Sequence, residues 1–134
     1  MRTYLSFGLV SMAMFAAPIE AQIEPNNAIL FATYECDQVE VAQADELVAD
    51  VIAPVLNRYA AEGKILVWGY IAAWIGQDYN RAFYVWAADV AALVDARMEY
   101  LTEIQAMPEF AEFAAICEAQ SQTIHSLVTG GPVP

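Results

Sequence analysis

Basic residues are scarce in this chain. Five Lys and Arg stand against seventeen Asp and Glu, for a formal net charge of −12 at pH 7. Nucleic acid and anionic lipid are held by clusters of Lys and Arg. Without such a cluster, no nucleic-acid role and no attachment to an anionic membrane surface are expected. Histidine occurs once, as His125, and cysteine twice, as Cys36 and Cys117. A protein metal site needs several N, O or S donors converging, so no metal centre is expected. Nucleophilic catalysis also lacks its usual marks: there is no G-x-S-x-G elbow, and Ser121 and Ser126 have no base other than His125. Gly63, Gly69 and Gly76 are spread out and Gly130-Gly131 is terminal, so no phosphate-binding glycine loop is formed.

Long apolar runs are missing too. The N-terminus carries Arg2, an apolar stretch from Tyr4 to Ala17, then Pro18, Glu20 and the small residue Ala21. This is the pattern of a secretory signal peptide, too short to span a bilayer comfortably. Removal of residues 1–21 is expected, which makes the mature protein periplasmic or secreted. Arg2 and Glu20 leave together, so the mature chain keeps its charge of −12. The remaining length suits one domain with a real core. Its longest apolar run, Ile65 to Ile75, falls short of a membrane span, so no insertion of the mature chain is expected.

What is present alternates between strand and helix patterns. Residues 22–27 are polar and predict a loose N-terminal arm, residues 28–128 a single domain, and residues 129–134 a disordered tail. Ala28 to Cys36 reads as a first strand. A helix follows from about Asp45, with Leu47, Val48, Val51, Ile52, Val55, Leu56 and Tyr59 on one apolar stripe, and Gly63 as its stop. Pro54 should kink or split it. Ile65–Ile75 and Arg81–Ala87 read as a hairpin joined by a Gly/Asp/Asn turn. Asp89 caps a second helix whose inner face is expected to carry Val90, Leu93, Val94, Met98, Leu101 and Ile104. Pro108 opens a short further helix, and Thr123 to Val128 reads as a last strand.

This order, β-α-β-β-α-(α)-β, predicts an α+β fold of the ferredoxin-like type, with the first and last strands antiparallel at the centre of the sheet. The end of the first strand then lies beside the start of the last. Cys36 is at that end and Cys117 lies a few residues before that start, so a disulfide is expected between them. It would close a loop of about 80 residues and stabilise the fold by about 4 kcal/mol in the chain-entropy view.

The middle strands are apolar on both sides. Leu66, Trp68, Tyr70, Ala72 and Trp74 alternate with Ile65, Val67, Ile71, Ala73 and Ile75, and Tyr84 and Trp86 alternate with Phe83 and Val85. Helices cover only one face of such a sheet, and monomers rarely leave the other face apolar and bare. A second copy of the chain is the simplest cover, which makes a homodimer the expected state.

From Ala28 to Val128 the element order, the two-sided strands and the passage FYVW-AADVAALVDA from Phe83 to Ala96 resemble the dimeric α+β-barrel superfamily. That group includes antibiotic-biosynthesis-type monooxygenases, NIPSNAP-like and EthD-like domains and several small isomerases. The resemblance implies two sheets facing each other around a small cavity. It brings no active-site motif with it. The superfamily has haem-active members, for which His125 would be the axial ligand; otherwise no cofactor is expected.

By strand parity Trp68, Tyr70, Trp74, Tyr84 and Trp86 are expected on a single face. With Tyr34 they would form a wall suited to a small apolar or aromatic ligand. The other reading of the same residues is a plain packed core. Arg81 is either a partner for nearby Asp78 or an anchor for an anionic ligand at the cavity mouth. Arg97, among Asp95 and Glu99, reads as part of a solvated helix face. His125 and Tyr70 are the candidate catalytic groups. These features point to an exported small-molecule-binding domain, in its enzymatic form a cofactor-independent oxygenase or isomerase. The alternative is a non-catalytic binding or structural module of the cell envelope.

Overall fold

The computed structural model describes residues 24–74 and 77–129; the expected leader and most of the expected tail lie outside the described residues. The chain runs β1 (Ala28–Cys36), α1 (Val41–Leu47), a π turn (Val48–Ile52), α2 (Ala53–Ala61), β2 (Val67–Ala72), β3 (Arg81–Ala87), α3 (Val90–Gln105), α4 (Pro108–Ile116) and β4 (Cys117–Ser126). The four strands form one antiparallel sheet in the order β2-β3-β1-β4, with the helices on one side. This is the α+β, ferredoxin-like arrangement expected from the element order. β1 and β4 do pair antiparallel, but β4 is an edge strand: β1 and β3 are the central pair, because β3 takes the other side of β1. Among the described residues no helix is long and apolar enough to cross a membrane.

Local chemistry accounts for most element boundaries. Asp37 accepts hydrogen bonds from the N–H groups of Val39 and Glu40, which turns the chain out of β1 and into a helix starting at Val41 rather than at Asp45. Pro54 has no N–H to give and would crowd the carbonyl four residues back. It sits in the first turn of α2, directly after the π turn, so the helix is widened there instead of broken. Gly63, at φ 74°, takes the left-handed conformation that ends α2. Asp89 caps α3 by accepting from the Ala92 N–H at 2.8 Å.

The core lies between the helices and one sheet face. Leu30, Ala32, Phe83 and Val85 meet Val48, Ile52, Val55, Leu56 and Tyr59, together with Leu93, Ala96, Tyr100, Ile104, Phe113 and Ile116. The inner stripe of α3 is therefore Leu93, Ala96, Tyr100 and Ile104, whereas Val90, Val94 and Met98 are exposed. Apolar character alone drew the expected stripe one position around the helix from the one that packs.

Two strands differ from their expected extent. β2 ends at Ala72 because its partner β3 begins at Arg81, directly opposite. β4 starts at Cys117, well before Thr123, and its sequence there is polar. Pairing with β1 imposes the strand, and an edge position lets its residues stay exposed. Cys36 and Cys117 are opposite one another in that ladder and are joined by a disulfide, both sulfur-bearing residues being buried. Beside the bridge, the Asn80 amide accepts from the Cys36 N–H and donates to its carbonyl, extending the sheet with a side chain. The residues just before β1 are tied by hydrogen bonds to the segments that follow β3 and β4. Asn26 donates to the Leu127 carbonyl, and buried Asn27 accepts from Leu127 and donates to the Ala88 carbonyl.

Candidate functional site

Strand register decides which side chains can meet. Trp68 lies opposite Val85 and Tyr70 opposite Phe83, so both point towards the helices. Tyr84 lies opposite Gly69 and Phe31, and Trp86 opposite Val67 and Ile29, so both point to the open side. The expected single aromatic face is thus divided in two. Parity was sound within each strand, but the pairing offset between β2 and β3 puts the two sets on opposite faces. Trp74 lies beyond β2 and is almost fully exposed, so it belongs to neither.

On the helix side, rings meet in a chain. Tyr70 packs on Phe83 with centroids 4.6 Å apart, Phe83 on Tyr34 at 5.9 Å, and Tyr34 on Phe113 at 5.5 Å. Past Tyr34 opens a cavity of about 50 Å³ between β1, β3, α3 and α4. Its walls include Leu56, Phe83, Leu101, Ile104 and Phe113, and its polar groups are Tyr34, Arg97, Tyr100 and Gln122. Burial pushes the Tyr34 phenol above its ordinary acidity range and does the same at Tyr100, with the Arg97 charge opposing both shifts. Both tyrosines are therefore neutral donors across physiological pH. Of these polar groups only Tyr34 was singled out as a ligand contact from the sequence. Arg97, expected on a solvated face, is half-buried and bonds to Gln122 instead. Spacing alone held a signal for Tyr100, which follows Leu93 and Ala96 on the packed stripe.

At the other end of the aromatic chain stands an ion pair. Arg81 donates from Nε and one terminal nitrogen to the two carboxylate oxygens of Asp45, both at 2.8 Å. Its partner is thus Asp45 of α1, not Asp78. The fork-shaped contact holds the Asp45 carboxyl below the usual carboxylate range. The Tyr70 hydroxyl lies beside this pair, and burial followed by the Asp45 charge pushes its acidity down, raising the pKa. Among the described residues it is the buried side-chain polar atom with no hydrogen-bond partner of good geometry. Trp68 is fixed nearby by a hydrogen bond from its indole N–H to Asn57.

The open face is apolar over β2, β3 and half of β1. Val67 and Ile71 are about 40% exposed, and Ile29, Tyr84 and Trp86 are half-buried. Gly69 leaves room there for the Tyr84 ring, which lies across the strand: a methyl group on it would stand 2.2 Å from Cζ of Tyr84, and the ring would have to shift. Tyr79 of the β2–β3 loop packs edge-on against Phe31 and covers one corner. Towards β4 the face turns polar, with Ser121, Thr123 and His125. His125 shares the face with Thr123 as expected, is exposed, and has Nε2 2.9 Å from the Thr123 hydroxyl. It lines none of the cavities described above. A haem ligand needs a cleft that admits a macrocycle beside the imidazole, and among the described residues the single chain offers none at His125, so those residues do not fit that group. Among the described residues no three His, Cys, Asp or Glu side chains gather as they would around a metal ion.

No protein-family model matches the sequence, and no curated protein is significantly similar to it. Solved structures are similar to it in fold. A dimeric ferredoxin-like protein from an uncultured marine organism superposes with a TM-score of 0.64 at 16% identity, over 81% of this chain and all of its own. HapK from Hahella chejuensis gives 0.59 at 12% identity, over 80% of this chain and 98% of its own. A NIPSNAP family protein of unknown function from Agrobacterium tumefaciens gives 0.56 at 17% identity, over 82% and 96%. The chain has the ferredoxin-like α+β fold of these proteins, the fold that its element order and two-sided strands resemble.

Proposed function

We propose that the mature chain is an exported domain that pairs with a second copy through the open faces of its sheets, forming an α+β barrel, and holds a small apolar or aromatic molecule. The observation that carries the pairing is the bare apolar patch of Ile29, Val67, Ile71, Tyr84 and Trp86, which one chain leaves facing water. The likeness to a dimeric ferredoxin-like protein supports it. The molecule is held on the helix side, in the cavity that begins at Tyr34, rather than against one wall of six aromatics. In its enzymatic form the protein is a cofactor-independent oxygenase or isomerase that supplies a dry pocket; Tyr70 and His125, the candidate catalytic groups, do not line that cavity. A non-catalytic binding or envelope module is favoured by one observation: Tyr70 and His125 lie on opposite faces of the sheet and do not converge on one substrate.

Native mass spectrometry of the mature protein tests this reading. The expected result is a dimer that carries the disulfide and starts at Gln22. Val67→Asp with Ile71→Asp should yield a folded monomer, since both side chains are already part-exposed in the single chain. A wild-type protein that remains a single chain at tens of micromolar, with its sheet open, refutes the barrel.

A further inference from the structure

Four basic side chains are described, and three of them are matched to carboxylates. Arg58 meets Glu62 and Glu103, Lys64 meets Glu62 and Glu99, and Arg81 meets Asp45. Arg97 is different: among the described residues its side-chain partner is the neutral amide of Gln122. The chain has seventeen acidic residues, yet among the described residues none of them lies within ion-pair distance of Arg97. The cavity at which it sits has no Asp or Glu in its wall. Arg97 also stands near enough to Tyr34 and Tyr100 for its charge to oppose the effect of burial on both phenols. The result is one positive charge and two neutral hydroxyl donors at one apolar cavity, inside a protein whose surface is otherwise strongly negative.

We infer that this cavity receives a small monocarboxylate with an apolar body, its carboxylate held by Arg97 and by the hydroxyls of Tyr34 and Tyr100. The inference rests on the small-molecule reading above and names the ligand's class. A guanidinium binds a carboxylate through parallel N–H donors, and a partly desolvated site strengthens that contact relative to water. Size narrows the class further. A water needs roughly 10–15 Å³ of such volume, so about 50 Å³ admits an apolar group of a few heavy atoms, with the head group at the polar part of the wall formed by Arg97, Tyr34 and Tyr100. A short branched acid fits these limits. An arylcarboxylate would require half-buried Leu101 or Phe110 to swing aside.

The test uses the intact mature protein, with isobutyrate and its neutral isostere isobutyramide as probes, followed by amide chemical shifts at about 0.15 M salt, where the diffuse field of the chain is screened. Saturable isobutyrate shifts at Tyr34, Arg97, Tyr100 and Phe113 are expected, with isobutyramide at least tenfold weaker. Arg97→Gln should weaken isobutyrate at least tenfold without altering the oligomeric state, and Arg97→Lys should fall between the two. Equal binding of the two probes, or an unchanged affinity in Arg97→Gln, overturns the carboxylate assignment while leaving the pocket reading intact. Absence of shifts with either probe overturns the pocket reading and this inference with it.

Discussion

Removing the Cys36–Cys117 bridge should lower stability by an amount that follows from chain length alone. The two residues are 81 apart in sequence. In the chain-entropy description, releasing a closed loop of that length returns about 15 cal/mol/K to the unfolded chain, or about 4.5 kcal/mol at 25 °C. Domains of this size are stable by about 5–15 kcal/mol in total, so the loss would be a large share of the whole. Both residues are buried, and the ladder around them is also held by Asn80 and the β1–β4 pairing, so the folded state should keep its shape. The variant to compare is Cys36→Ala with Cys117→Ala, which leaves no thiol to mispair. Urea unfolding followed by circular dichroism should show the midpoint falling by about 3 M, for a slope of about 1.5 kcal/mol/M. The slope itself should rise, because the unlinked unfolded chain exposes more surface. Wild-type protein unfolded under reducing conditions should match the variant. A midpoint within about 0.7 M of the oxidised wild type would refute the reasoning, since it would mean that the link constrains little of the unfolded ensemble.

Three other outcomes follow from individual contacts. Gly69→Ala should push the Tyr84 ring off β2 and destabilise the protein by about 1–3 kcal/mol; an unchanged melting temperature, with Tyr84 unmoved in a variant structure, would contradict the close approach. Tyr70→Phe removes a buried hydroxyl that has no well-formed partner, so stability should stay level or rise by up to about 1 kcal/mol, and a clear fall in the urea midpoint would show that the hydroxyl is bonded. The Asp45 carboxyl titrates lower when folded than unfolded, so its contribution is present above about pH 4 and is lost as pH falls through the folded value. Asp45→Asn should therefore flatten that part of the acid unfolding profile, and an unchanged profile would show that the Arg81 contact adds nothing in solution.

Much of the fold is legible in local pattern, because hydrophobic period and turn chemistry are properties of neighbouring residues. The hairpin of β2 and β3, the Asp89 cap, the Gly63 stop and the opening of α4 at Pro108 all follow that way. Even the cysteine pairing was within reach, since element order alone places the end of β1 beside the start of β4. The start of β4 was not legible, because its polar residues become a strand only by pairing with β1.

The site is where tertiary structure decided most. Alternation along one strand says which side chains share a face, but says nothing about how that strand is registered against its neighbour. A pairing offset was therefore enough to send Trp68 and Tyr70 towards the helices and Tyr84 and Trp86 away from them. Helix rotation decided the rest. Composition and spacing could establish a scarce positive charge at Arg97, an acidic chain around it and an apolar stripe beside it. Only the packing of α3 against β1 and β3 turned that charge from the solvent to the mouth of a cavity, because the angle at which a helix rests on a sheet is set by the fit of all its buried side chains together.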